Sequence, residues 1–162
     1  MLAKGTRIKL TLEDQTTVET IARARYASNR KSGVRNAKIG PQSNYETDLA
    51  GIGGEVAFCR LVDALPDLTI HPRSMITDTG DTMIDDMPVD VKTTMYSNGK
   101  LLARITLGGK TDTLFVLMTG VFPRYTFAGC LPGTELLTDK RIVNLGYGPT
   151  YGAKQEDLRD LT

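Results

Sequence analysis

Residues 77–94 read TDTGDTMIDDMPVDVKTT, and how this stretch pairs with itself decides the fold around it. It carries five aspartates and meets no base until Lys92. Val89, Val91, Thr93 and Thr94 make an apolar, β-branched run of the kind that forms a strand. Side chains alternate along a strand, so Asp90 and Lys92 share one face. Thr82-Met83-Ile84 reads as the preceding strand and Asp85-Asp86 as a tight turn. That register pairs Ile84 with Met87 and sets Asp81 opposite Asp90, with Cβ atoms roughly 5 Å apart. A longer turn, Asp85 to Pro88, sets Asp81 opposite Lys92 and keeps the shared face. Only an odd loop or a bulge breaks the relation. Like charges facing each other destabilise a sheet, so the pairing calls for a cation, and Asp78, Asp85 and Asp86 become turn and rim residues.

Outward from the hairpin, residues 113–119 (TLFVLMT) form a continuous apolar run, the pattern of a fully buried strand. Residues 125–131 are expected to pair with it, and Gly133–Leu137 to form a short helix. Short strands are expected at 6–12 and 68–71, a loosely alternating one at 101–107, and a last one with a turn in the tail 147–161. Upstream, residues 12–32 read as a helix capped by Asp14 or Thr16, with Val18, Ile21, Ala22 and Tyr26 as its apolar stripe. Residues 33–46 read as a polar loop able to clasp a substrate. A second helix is expected over 47–64, with Val56, Cys59, Leu61 and Val62 as its apolar positions. Gly51, Gly53 and Gly54 crowd its first turns and cost roughly 1 kcal/mol each against alanine. Such a cost implies that something approaches the backbone closely there, and Glu55 follows directly.

The 162 residues suffice for one core, and the composition (40% hydrophobic, 24% charged) is that of a globular chain. One α/β domain with a mixed central sheet is the expected architecture, comprising a basic helix and loop over 1–46 and a core over 47–162. No apolar run approaches the length of a membrane span, and the N-terminus lacks a secretory pattern. A cytoplasmic protein without a membrane partner is therefore expected. Cys59 and Cys130 read as buried free thiols, without zinc-ligand spacing.

The net charge of +1 conceals an asymmetry. Arg23, Arg25, Arg30, Lys31, Arg35 and Lys38 follow one another without an acidic residue, whereas 77–90 is the reverse. A basic arm holds a phosphate backbone, and an acidic pocket concentrates the cation that activates water to attack it. Taken singly, each feature has a plainer reading: an exposed ion pair for Asp90 and Lys92, solvated helix faces for Glu55 and the basic run.

Together, Glu55 on a helix, then Asp81, then Asp90-Val91-Lys92 on the next strand resemble the PD-(D/E)XK nuclease superfamily. DLAGIGGEVAF resembles the start of its core helix, VDVKTT its catalytic strand, and YTFAGCLPGTELL the strand and turn that close the sheet in phage and bacterial members. The likeness spans residues 39–161, with Gly80 where the family name has its proline. It implies a restriction-endonuclease-like three-layer fold, a mixed central β-sheet flanked by helices. It further implies a Mg²⁺-dependent nuclease, with Mn²⁺ able to substitute, acting on nucleic acid and most readily DNA in the cytoplasm, a host's if phage-encoded. Asp81 and Asp90 would be the metal carboxylates, with the Val91 carbonyl a further ligand and Glu55 holding a metal-bound water or second ion. Lys92 would orient water or stabilise phosphorane charge. Arg30, Lys31, Arg35, Lys38, Gln42 and Gln155 would contact nucleic acid, and compact members of the family also form homo-oligomers. The alternative is a catalytically silent nuclease-fold protein that binds DNA or a protein partner.

Overall fold

A computed structural model describes residues 1–31, 43–69 and 80–162. The chain folds as one α/β domain around a mixed five-stranded sheet. Its strands are β1 (Arg7–Lys9), β2 (Thr82–Ile84), β3 (Met87–Thr94), β5 (Leu114–Val121) and β6 (Arg124–Pro132). They lie in the order β1-β6-β5-β3-β2, with β3 and β5 parallel and the other neighbours antiparallel. A second, three-stranded sheet has the order β4-β8-β7, formed by β4 (Leu101–Arg104), β7 (Ile142–Asn144) and β8 (Pro149–Ala153).

Central β5 is buried on both faces, as its unbroken apolar run foretells. Leu114, Val116 and Met118 join the core under the helices, whereas Phe115 and Leu117 join a second core under the small sheet. Partner β6 feeds both cores as well, but a bulge opposite Leu117 and Met118 reverses its alternation. Tyr125, Phe127 and Cys130 therefore face the helices, and Ala128 and Leu131 the small sheet.

Two long helices, α1 (Leu12–Lys31) and α2 (Asn44–Leu61), cover one face. They run antiparallel, Arg60 gripping Asp14 at one end and Tyr26 meeting Tyr45 edge-on at the other. The family resemblance implies a sheet flanked by helices. The opposite flank is instead the three-stranded sheet with the single-turn helix α3 (Gly133–Leu136), because Leu101, Ala103, Tyr151 and Ala153 bury their inward faces against Phe115 and Leu131.

Several boundaries differ from expectation for local reasons. Helix α1 is capped by Thr11, whose hydroxyl accepts the Asp14 N–H at 3.1 Å, which frees the Asp14 carboxylate for Arg60. Helix α2 starts three residues earlier than 47, at Asn44, because Ser43 and Glu46 form a reciprocal capping box. Leu68 and Thr69 are not a strand: the Thr69 N–H is taken by the Asp67 carboxylate in a turn. Residues 105–107 leave the strand as a 3₁₀ turn.

Two of the three clustered glycines of α2, Gly53 and Gly54, fit their cost, whereas a Cβ at Gly51 would meet nothing within 4 Å. A Cβ at Gly53 would run into the Tyr125 ring, and one at Gly54 into the Thr93 side chain. The helix backbone thus lies directly on β3 and β6, and the Tyr125 hydroxyl donates to the Ala50 carbonyl at 3.2 Å. That close seating brings Glu55 to the sheet. Among the described residues no helix is long and apolar enough to cross a membrane.

Candidate active site

The hairpin has the expected two-residue turn: Ile84 pairs with Met87, Met83 with Pro88 and Thr82 with Val89. Asp85 and Asp86 both take positive φ, 46° and 66°, the left-handed pair that matches the twist of a tight hairpin. Past Thr82 the expected register is not kept: the Asp81 N–H donates to the carbonyl of Val89, the residue that Thr82 already faces, so Asp81 sits at a bulge and not squarely opposite Asp90.

Asp81 continues the ladder with its side chain. Its own N–H donates to the Val89 carbonyl at 2.8 Å, and its Oδ2 accepts the Val91 N–H at 2.7 Å. The carboxylate thus takes the place of the next backbone acceptor on the edge of β3. In an extended strand the C=O of a residue points to the same edge as its N–H, so the Val91 carbonyl shares the Asp81 side. Gly80 makes the approach possible. Its φ is +78°, closed to proline, and a Cβ there would stand 2.8 Å from the Val89 oxygen.

On β3, Lys92 Nζ lies 2.7 Å from Asp90 Oδ1, the same-face pair read from the strand period. Glu55 arrives from α2 and is buried, with Oε2 lacking any hydrogen-bond partner. Its Oε1 lies 3.6 Å from Arg25 Nη1 on α1. Burial, reinforced by the charges of Asp81 and Asp90, holds the Glu55 carboxyl well above its usual range. Asp81 is pushed up to about 6, first by burial and then by Asp90, against the opposing Val91 N–H, Lys92 and Arg25. Beneath the cluster Cys59 is buried, its thiol raised to about 11 by desolvation.

Asp81, Asp90, Lys92 and Arg25, from the hairpin and from α1, thus all lie near enough for their charges to act on the Glu55 carboxyl. Among the described residues no group of three or more His, Cys, Asp or Glu side chains is arranged to hold a metal ion. Magnesium, however, is typically held by one or two carboxylates together with phosphate oxygens and water. The donors here are hard oxygens, and Glu55 Oε2 is an orphaned buried acceptor. In kind they fit a small hard cation.

Arg25 belongs to this group, although the sequence showed it only as one base in a run. Besides Glu55, it reaches the Asp67 carbonyl at 3.4 Å, and the Asp67 N–H in turn donates to the Asp81 carbonyl at 2.9 Å. Nothing in the spacing of residues 23–38 distinguishes Arg25; the crossing of α1 over α2 does.

Other candidate residues lie elsewhere. Lys31 is exposed at the end of α1. The Arg30 side chain, Arg35, Lys38, Gln42, His71 and Asp78 lie outside the described residues. Gln155 has a structural task, its amide donating to the Ser97 and Gly99 carbonyls at 2.8 and 2.9 Å. No family model, curated protein or solved structure matches this chain.

Proposed function

We propose that this protein is a metal-dependent nuclease that hydrolyses phosphodiester bonds of nucleic acid, DNA foremost, with the restriction-endonuclease-like fold its motif implies. The observation that carries the reading is the gathering of Glu55, Asp81 and Asp90 beside Lys92 and Arg25, with two of the carboxyls held above their ordinary pKa. Such perturbed, mutually repelling acids in a polar cluster are a liability to stability and mark functional sites.

Asp81, Asp90, Glu55 and the Val91 carbonyl would hold Mg²⁺, or Mn²⁺ in its place. When bound, such an ion lowers the pKa of coordinated water towards neutrality, which makes hydroxide available to attack phosphorus. The Lys92 ammonium, paired with Asp90, supplies a fixed positive charge for the extra negative charge of the pentacoordinate phosphorane. The Val91 N–H fixes the orientation of Asp81. Arg25 holds Glu55 and offsets part of the acidic charge.

The test is incubation of plasmid or single-stranded DNA with purified protein in Mg²⁺, Mn²⁺ or EDTA. Metal-dependent cutting lost in Asp90→Ala and Lys92→Ala supports the reading, and cutting that persists unchanged in both variants sinks the site assignment. A second reading, a silent nuclease-fold protein that binds DNA or a partner, draws on the absence of a ready three-carboxylate cage among the described residues. Salt-sensitive DNA binding without cutting in any metal would favour it.

A further inference from the structure

Bases that take no part in the acidic cluster converge at one end of the three-stranded sheet. Leu101 pairs with Ala153, so one step outward sets Lys100 beside Lys154. On the other side of β8, Lys140 and Arg141 immediately precede β7. Residues far apart in sequence are thus brought together by three strand ends. They line two adjoining hollows of about 200 and 370 Å³, which share Lys100, Lys154 and Glu156. Asp157 pairs with Arg141 at 2.9 Å. Among the described residues no acidic side chain forms an ion pair with Lys100, Lys140 or Lys154. Like charges on neighbouring strands destabilise a sheet, and a polyanion laid across them reverses that cost.

The hollow is tied to the acidic site along the chain. Strand β3 carries Asp90 and Lys92, ends at Thr94, and passes into the turn that leads to Lys100. The eight residues from Lys92 to Lys100 span at most ~28 Å even when extended. Gln155 pins this turn through the Ser97 and Gly99 carbonyls, which makes it a fixed wall of the hollow. Tyr96 stands on the same turn and is 42% exposed.

We propose that this end of the sheet binds the phosphodiester backbone of a single-stranded nucleic acid that continues to the Asp90–Lys92 face. Lys100, Lys140, Arg141 and Lys154 contact phosphates, and Tyr96 is a platform on which an unpaired base stacks. A free aromatic face suits a single strand, because the bases of a duplex are already stacked on one another. The proposal rests on the nuclease reading only for what happens at Asp90 and Lys92.

Binding of a fluorescein-labelled 12-nucleotide single-stranded DNA, followed by anisotropy in EDTA, tests it without cutting. In the double variant Lys100→Gln/Lys154→Gln, with an unchanged melting temperature, affinity should fall roughly 10- to 30-fold at 0.1 M salt. The slope of log K against log salt should become shallower by about 1.4, two contacts at roughly 0.7 each for a single strand. The chain has no tryptophan, so Tyr96→Trp supplies a single tryptophan whose emission, excited at about 295 nm, should be quenched when unlabelled DNA binds. Equal affinity and slope in the lysine variant would overturn the proposal. So would tighter binding of duplex, or poly-glutamate competing as well as DNA, which would point to a protein partner. Mg²⁺-dependent cutting, measured in parallel, separates the two readings. Lysine-dependent binding without cutting overturns the nuclease reading alone, and cutting by a protein whose binding ignores the lysines overturns this one alone.

Discussion

The Asp81 carboxylate accepts the backbone N–H of Val91 at 2.7 Å, in the place where a longer β2 would have offered a carbonyl. A side-chain acid has been substituted for a strand residue at the edge of β3. That substitution leaves Asp81 anchored yet close enough to Asp90 and Glu55 to be repelled by both.

The burial of Asp81, with the repulsion of Asp90 added, should be visible in stability. Asp81 ionises near 6 in the folded chain against an ordinary 3.8, so between these values the folded state holds a proton that the unfolded state has released. Its contribution is full below about pH 4 and is lost as pH rises through about 6, a change on the order of 2–3 kcal/mol. Glu55 acts in the same direction. Urea unfolding in EDTA should therefore show a more stable protein at pH 5 than at pH 8. Asp81→Asn should reduce that difference. An undiminished pH dependence in the variant would contradict the account.

A cation should relieve the same strain. At pH 8, added Mg²⁺ should raise the melting temperature of the wild type, with the stabilisation growing as the logarithm of concentration above Kd. The double variant Glu55→Gln/Asp81→Asn should not respond. A uniform rise in both proteins would indicate binding elsewhere.

Arg25→Gln leaves Glu55 buried without its counter-ion. The expected loss is about 1–3 kcal/mol at pH 8 and less at pH 5, because the raised carboxyl of Glu55 takes up a proton more readily as pH falls. Chemical denaturation at the two pH values reads the difference directly, and a pH-independent loss would assign Arg25 a packing role only.

The glycines of α2 divide into two kinds. Gly54→Ala meets the Thr93 side chain and should cost about 1–3 kcal/mol, although alanine is the better helix former. At Gly51 an added Cβ meets nothing within 4 Å, so Gly51→Ala should stabilise by up to about 1 kcal/mol. Thermal melts of the two variants should move in opposite directions.

Asp14 has the reverse pH signature of Asp81. The Arg60 guanidinium, donating from Nε and Nη2, lowers its pKa, so the pair stabilises above the ordinary carboxylate value and is lost as pH falls through the depressed one. Asp14→Asn should cost about 1 kcal/mol at pH 7 and nothing at the acid end. Equal destabilisation at pH 2.5 and 7 would show that the charge is irrelevant.

Much of this was legible in the chain because the signals are local. The turn at Asp85-Asp86 fixes the register of β2 and β3, and a period of two then places Asp90 with Lys92. The glycine cluster announced a close approach, and the double-sided burial of β5 follows from its unbroken apolar run. The Ser43–Glu46 capping box is equally legible, but the polar stretch before it reads as loop and hides the helix start.

What no local pattern contains is which distant elements meet. Arg25 becomes a partner of Glu55 only because α1 lies antiparallel on α2, and Lys100, Lys140 and Lys154 become neighbours only because three strand ends coincide. The same is true of the small sheet that covers the second flank in place of helices, since the inward faces of β4 and β8 find their partners across the core. By itself the sequence determined the hairpin, its aspartate–lysine face and the close seating of α2, because turn geometry and side-chain period act over a few residues. Tertiary structure alone decided the charge balance of the cluster, because Coulomb energies depend on distance through space and on burial, and neither is written in residue order.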